Sequence, residues 1–199
     1  ALSPREREEA EPRLCDRSLA TAVLFDQCPG GQTEAALDAL ADCPPEMGLS
    51  YPANAGWRLW ALAQGGRIAA VLRELRERWA TMRSVVENNT LQECWRAEPD
   101  SADQWSHCPV APLYILYMSI AGIRPTAPGF ARCEIRPQLG DLGKLELTAH
   151  TVRGPIRFRA TRADGRHEVA IGIPAGVAAE LVLPGKRVPL ASGENRMTL

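Results

Sequence analysis

The sequence predicts an α+β chain in two parts, helical hairpins first and a small antiparallel β-sandwich second. Three observations carry this. Before residue 122 apolar residues recur at helical spacing, in segments divided by Pro and Gly. After it they alternate with a period of two. Between the two lies Gly122-Ile123-Arg124-Pro125-Thr126-Ala127-Pro128-Gly129, with two prolines and two glycines in eight residues. The expected division is 1–122 helical, 123–132 linker and 133–199 sandwich.

The helices follow in order. Asp16 to Phe25 is nearly all apolar and predicts a helix buried on most faces, broken by Pro29-Gly30-Gly31. Thr33 is the expected N-cap of a second helix carrying Ala35, Ala36, Leu37, Ala39 and Leu40, closed by Pro44-Pro45. A third is expected over 53–64, with Trp57 and Trp60 in the core and Gly65-Gly66 as its cap. Ile68, Val71, Leu72, Leu75, Trp79 and Met82 fall at i, i+3, i+4, i+7, i+11 and i+14, the face of a fourth. Ala111 to Ile120 predicts a last buried helix. Short connections between these segments favour antiparallel hairpins.

The strands are equally explicit. Leu145, Leu147 and Ala149 alternate with Lys144, Glu146, Thr148 and His150. Ile156, Phe158 and Ala160 alternate with Arg157, Arg159 and Thr161, which puts both arginines on the wet side. Asp164-Gly165 then predicts a tight hairpin into Val169, Ile171 and Ile173. Leu181 and Leu183, then Val188 and Leu190, flank Pro184-Gly185 as two further strands.

Composition narrows the function. The net charge is −1 and no basic patch dominates, so nucleic acid is a poor partner. No apolar run approaches the ~20 residues that span a bilayer, and no signal peptide is visible, so the expected location is cytoplasmic. The chain opens on Ala1 rather than Met, as a processed product or a piece of a longer protein would. The six cysteines form no Cys-x-x-Cys pair, and buried reduced thiols are expected. No spacing matches a zinc site, so neither metal nor cofactor is called for.

The chemistry concentrates in Leu91-Gln92-Glu93-Cys94-Trp95 and Gln104-Trp105-Ser106-His107-Cys108-Pro109. A carboxylate, two indoles and an imidazole lie close in a stretch taken as helical. Indoles stack on a pyranose face, an imidazole hydrogen-bonds a hydroxyl, and a carboxylate takes a proton from water. Glu93, Trp95, Trp105 and His107 are therefore the candidate site residues. Glu98, Asp100 and Asp103 lie in a polar loop and are expected to be solvated.

Taken together, these features resemble the C-terminal portion of bacterial α-L-rhamnosidases, inverting glycoside hydrolases with an (α/α) six-hairpin barrel. Thr90-Leu91-Gln92-Glu93-Cys94-Trp95 is similar to the family's Thr-x-Trp-Glu-x-Trp segment. Ser106-His107-Cys108-Pro109 is similar to its Ser-His-x-x-Pro segment, one residue short. Tyr117 to Ile123, Ala127-Pro128-Gly129-Phe130 and Ile135-Arg136-Pro137 resemble the barrel exit and sandwich entry.

The resemblance implies a partial (α/α) barrel, five or six helices of about twelve, followed by a β-sandwich. It implies inverting hydrolysis of terminal α-L-rhamnose from a rhamnosyl glycoside or oligosaccharide. Glu93 would be the water-activating base, His107 a sugar contact, and Trp95 and Trp105 pocket walls. The missing half of the barrel, or a second copy of the chain, is the implied protein partner.

The sequence also departs from the pattern. Gln92 replaces the first tryptophan of the base motif, Arg96 the following aspartate, and the second histidine is absent. The family's general acid lies upstream. Asp42-Cys43-Pro44-Pro45-Glu46 superficially matches that segment, but it sits close to the base motif and suits a tight turn. An inactive remnant that keeps a sugar-binding wall, or a six-hairpin glycosidase for another sugar, is the alternative.

Overall fold

The computed structural model describes residues 14–98, 101–102 and 108–199. The chain divides into two compact units, Ala1–Ala111 and Pro112–Leu199.

The first unit is helical. Helix α1 spans Asp16–Leu24, but only Asp16 and Ala20 on it are buried, and Phe25 just beyond is exposed. The expectation of a helix buried on most faces is thus corrected. Helix α2, Thr33–Asp42, buries Ala36, Leu37 and Leu40. Its N-cap is Gln32, with Thr33 already inside the helix. The 3-10 turn Pro29–Gly31 delivers the chain one residue earlier than the capping pattern suggests. Left-handed Cys43 ends α2, and Met47 N donates to Pro44 O (2.8 Å), closing the tight turn predicted there.

Helix α3, Pro52–Gln64, starts on a proline whose missing N–H costs nothing at the first position. It packs on α1 and α2 and buries Ala55, Arg58, Leu59 and Leu62. Trp57 and Trp60 point away from this stripe: Trp57 is exposed and Trp60 half-buried, so neither belongs to the core. The i, i+3, i+4, i+7 face of α3 is occupied by small residues, leucines and one arginine. Helix α4, Ile68–Glu74, continues into a π-helical turn, Leu75–Trp79, instead of running regularly to Met82. Trp79 and Met82 remain buried. Helix α5, Arg83–Asn88, is too short to leave a periodic signal.

The boundary between the units falls at the start of α6, Ala111–Tyr114, which widens into a π-helical stretch, Ile115–Ile120. Ile115, Ser119 and Ile120 are buried while Leu113 and Met118 are exposed, so this helix too has an open side. Gly122 sits at φ +73°, and a Cβ there would collide with the backbone of Arg136, so the exit needs glycine.

Strands β1 (Ile123–Pro125), β2 (Arg132–Ile135), β6 (Ala178–Leu183) and β7 (Lys186–Leu190) form one sheet in the order β1-β2-β6-β7. Its β2–β6 pair is parallel and the others are antiparallel. Strands β3 (Lys144–Thr151), β4 (Gly154–Ala163), β5 (Arg166–Ile173) and β8 (Gly193–Thr198) form an antiparallel second sheet in that order. The 123–132 stretch read as a linker carries β1 and the Pro128–Phe130 turn. The small β-sandwich is as expected, but it is antiparallel-rich rather than wholly antiparallel, since β2 pairs with β6 in parallel.

Asp164 and Gly165 take φ of 50° and 79°, the pair of positive angles that a two-residue hairpin matching the strand twist requires. Ile156, Phe158, Ala160, Val169, Ile171 and Ile173 are buried from the second sheet, and Cys133, Ile135, Ala179 and Leu181 from the first. Arg157 and Arg159 are exposed, as the alternation predicts. His167 is nearly buried, its Nε2 2.8 Å from Leu142 O, and serves the sandwich. The cysteines form no disulfide; Cys133 is buried, whereas Cys15 and Cys108 are exposed, so burial holds for only part of the set.

Candidate functional site

The site begins with a charge in an apolar helix face. Arg58 falls at i+3 between Ala55, Leu59 and Leu62, and it is 3% exposed. A buried guanidinium needs partners. It pairs with Glu74 on α4, lies 3.7 Å from Asp16 Oδ2 on α1, and donates to Leu40 O and Cys43 Sγ, both at 3.1 Å. Burial lowers its pKa from the ordinary arginine value, and the Cys43 thiol and Asp16 carboxylate oppose that shift.

From this centre the polar network runs toward the candidate loop. Asp16 accepts from Ser50 Oγ (2.6 Å) and Ser50 N (3.0 Å). Ser50 O in turn accepts from Trp95 Nε1 at 2.8 Å. Trp79 meets Trp95 edge-on, with ring centroids 5.2 Å apart and planes at 77°. The Arg78 guanidinium lies 3.8 Å over the Trp95 ring, a cation–π contact. Trp95 is half-buried and held on its edge, its N–H and one face.

Residues 91–98 are irregular, so the helical reading of this stretch is corrected. The loop is organised by Gln92, which is 1% exposed. Its Oε1 accepts from Ser84 N (3.0 Å) and Ser84 Oγ (2.8 Å). Its Nε2 donates to Cys94 O (2.9 Å) and Trp95 O (3.2 Å). Glu93, between these anchors, is exposed. Glu98 is exposed as well. Trp105 and His107, with Asp100 and Asp103, lie outside the described residues.

Glu93 and Trp95 thus stand on one ordered loop of the helical unit. The residues that sequence reasoning missed are Arg78, Ser50 and Gln92. Gln92 had one signal, its place where the resembling motif carries tryptophan. Arg58 had another, a charge at a core position of α3.

Among the described residues no group of His, Cys, Asp and Glu could hold a metal ion. No helix among them is long and apolar enough to cross a membrane. The β unit carries an open cleft of about 380 Å³ on its second sheet, lined by Thr148, Arg157, Ala170, Gly172 and Glu194 among others, with no Trp or Tyr in its walls.

Residues 122–198 match the family described as bacterial alpha-L-rhamnosidase C-terminal domain. The chain resembles the C-terminal part of a bacterial α-L-rhamnosidase. Solved rhamnosidases share its fold. The GH78 family rhamnosidase of Bacillus sp. GL1 is 24% identical with a TM-score of 0.73, over 87% of this chain and 19% of that one. The α-L-rhamnosidase of Aspergillus terreus is 21% identical with a TM-score of 0.71, over 92% of this chain and 24% of its own. That of Streptomyces avermitilis, solved with L-rhamnose, is 20% identical with a TM-score of 0.72, over 92% and 21%. The chain therefore spans about a fifth to a quarter of these rhamnosidases. No curated protein is a match for it.

Proposed function

We propose that this chain is the C-terminal portion of an inverting α-L-rhamnosidase, its helical unit one part of an (α/α) barrel. The rhamnosidase C-terminal match over 122–198 carries the reading. The exposed apolar side chains of the helical unit, Phe25, Tyr51, Trp57 and Val86, support it, as faces that further barrel helices would cover.

In this reading Glu93 takes a proton from the water that attacks the anomeric carbon, while a carboxylic acid across the pocket protonates the leaving oxygen. An inverting pair stands roughly 6.5–9.5 Å apart to admit that water. Trp95 stacks on the sugar, with Trp105 and His107 as the other members of the wall. The substrate is a rhamnosyl glycoside or oligosaccharide.

A sugar-binding remnant is the second reading. One observation favours it: Trp95 is fixed by Ser50, Arg78 and Trp79 within this unit, so a binding wall can persist without turnover.

Hydrolysis of an aryl α-L-rhamnoside by the 199-residue chain, beside Glu93→Gln, tests both. Turnover abolished by the substitution is the expected result for a competent site. Turnover unchanged by Glu93→Gln sinks the catalytic assignment. Binding of L-rhamnose by a folded chain without turnover selects the remnant.

A further inference from the structure

Gln92 does more than fill the core. Its backbone precedes Glu93, and its side-chain amide reaches over Glu93 to the carbonyls of Cys94 and Trp95 at 2.9 and 3.2 Å. The carboxamide therefore closes a ring of hydrogen bonds around one residue, with the exposed Glu93 at its apex. The other end of the same carboxamide is fixed in the interior. Its oxygen accepts two hydrogen bonds from Ser84, itself 1% exposed at the start of α5. All four bonds are made on a side chain with 1% exposure, where a lost partner leaves a desolvated group unsatisfied.

The far end of the loop has its own anchors. Trp95 is held through Ser50 O, and Ser50 is held by the buried Asp16. The segment from Gln92 to Trp95 is thus pinned at both ends, and the only strongly exposed side chain between the pins is Glu93. A loop carboxylate with no such device would sample many directions and lose the alignment on which proton transfer depends.

We infer that Gln92 is a positioning residue, whose carboxamide closes a turn around Glu93 and fixes the backbone from which Glu93 and Trp95 project toward a common sugar. The catalytic consequence rests on the function proposed above for Glu93; the turn itself does not. Gln92→Glu separates the two halves of the carboxamide. It leaves an acceptor for Ser84 but removes the donor to Cys94 and Trp95. Gln92→Met keeps the volume and removes both halves.

The test is a ¹⁵N spectrum of the 199-residue chain and both variants, each titrated with methyl α-L-rhamnoside. In Gln92→Glu the amides of Glu93, Cys94 and Trp95 are expected to move while those of Ser84 and the β-sandwich stay. In Gln92→Met the Ser84 amide moves as well. The sugar-induced shift of the Trp95 indole is expected to need no more than about threefold more ligand in both variants, and kcat to fall about 10- to 100-fold with KM likewise held within threefold.

A Glu93 amide unmoved in either folded variant overturns the inference. Shifts spread over the whole helical unit also overturn it, since they mark a generic core residue. If the unmodified chain gives no response to the sugar, the rhamnosidase reading fails, and the amide pattern alone decides whether Gln92 holds the turn.

Discussion

In the β-sandwich Ile156, Phe158, Val169 and Ile171 fill the interior, and charged residues stay on the outer faces in exposed pairs such as Arg159–Glu146. In the helical unit Asp16, Arg58 and Glu74 are themselves interior. The first arrangement draws its stability from non-directional burial, about 25 cal/mol per Å² of apolar area. The second must satisfy each charge with a partner placed to a few tenths of an ångström, and it is correspondingly intolerant of losing one. What it gains is direction. Hydrogen bonds from Asp16 through Ser50 reach Trp95, on the loop that carries Glu93. The unit with the costlier interior is the one that positions the candidate chemistry.

The sharpest way to break this comparison is Arg58→Met. It removes the cation that Asp16 and Glu74 share, leaving Glu74 only Arg78 at 3.9 Å, and is expected to cost about 3–5 kcal/mol. The five tryptophans, Trp57, Trp60, Trp79, Trp95 and Trp105, all precede residue 112, so indole fluorescence in a urea titration reports the helical unit alone. A midpoint unmoved by Arg58→Met would show that the buried network contributes nothing. Adding Glu74→Leu to Arg58→Met should recover part of the loss, because one uncompensated carboxylate goes with it.

Next in size is Phe158→Ala, which empties a fully buried site of the sandwich and is expected to cost about 3–4 kcal/mol. Far-UV circular dichroism at a strand-sensitive wavelength should register the shift while tryptophan fluorescence keeps its midpoint. Coincident shifts by both probes would mean that the two units unfold as one, and the contrast between their interiors would lose its thermodynamic meaning.

The same contrast governs what the sequence reveals. Period-two alternation identifies β3, β4 and β5, because β4 and β5 each have one dry face and one wet one and the apolar face of β3 is half-buried. The Asp164-Gly165 turn followed from backbone angles that few other residues adopt. β8 was missed, since Gly193-Glu194-Asn195-Arg196 is an exposed edge with little apolar alternation. In the helical unit, α2 and α3 were readable, but the roles of their side chains were not. Arg58 breaks an apolar stripe, and its partners Asp16, Cys43 and Glu74 come from three separate segments, so periodicity along one helix cannot find them. Trp57 and Trp60 have helical spacing but occupy the wrong face of α3. The candidate loop was found by composition, yet its architecture depends on a single glutamine and the serine 8 positions before it, which no pattern of hydrophobicity marks.

The smallest effect concerns the outer surface of the sandwich. Glu146 on β3 lies opposite Arg159 on β4 in the strand register, and Arg159 Nη2 donates to its Oε1 at 3.0 Å. That hydrogen bond, followed by the charge of Arg159 and the hydrogen bond with Lys144, holds the Glu146 pKa below the ordinary carboxylate value. A carboxylate whose folded-state pKa is depressed binds its proton less readily folded than unfolded. Its contribution is therefore fully present above the unfolded-state pKa and is lost as pH falls through the folded-state pKa. Both residues are exposed, and the attraction is screened by solvent and salt. Glu146→Gln should consequently leave the sandwich's unfolding midpoint nearly unchanged below the carboxylate range and lower it slightly at neutral pH, with the difference shrinking in high salt. A variant as stable as the parent at neutral pH and low salt would show that this exposed pair adds nothing, widening the contrast with the paired charges inside the helical unit.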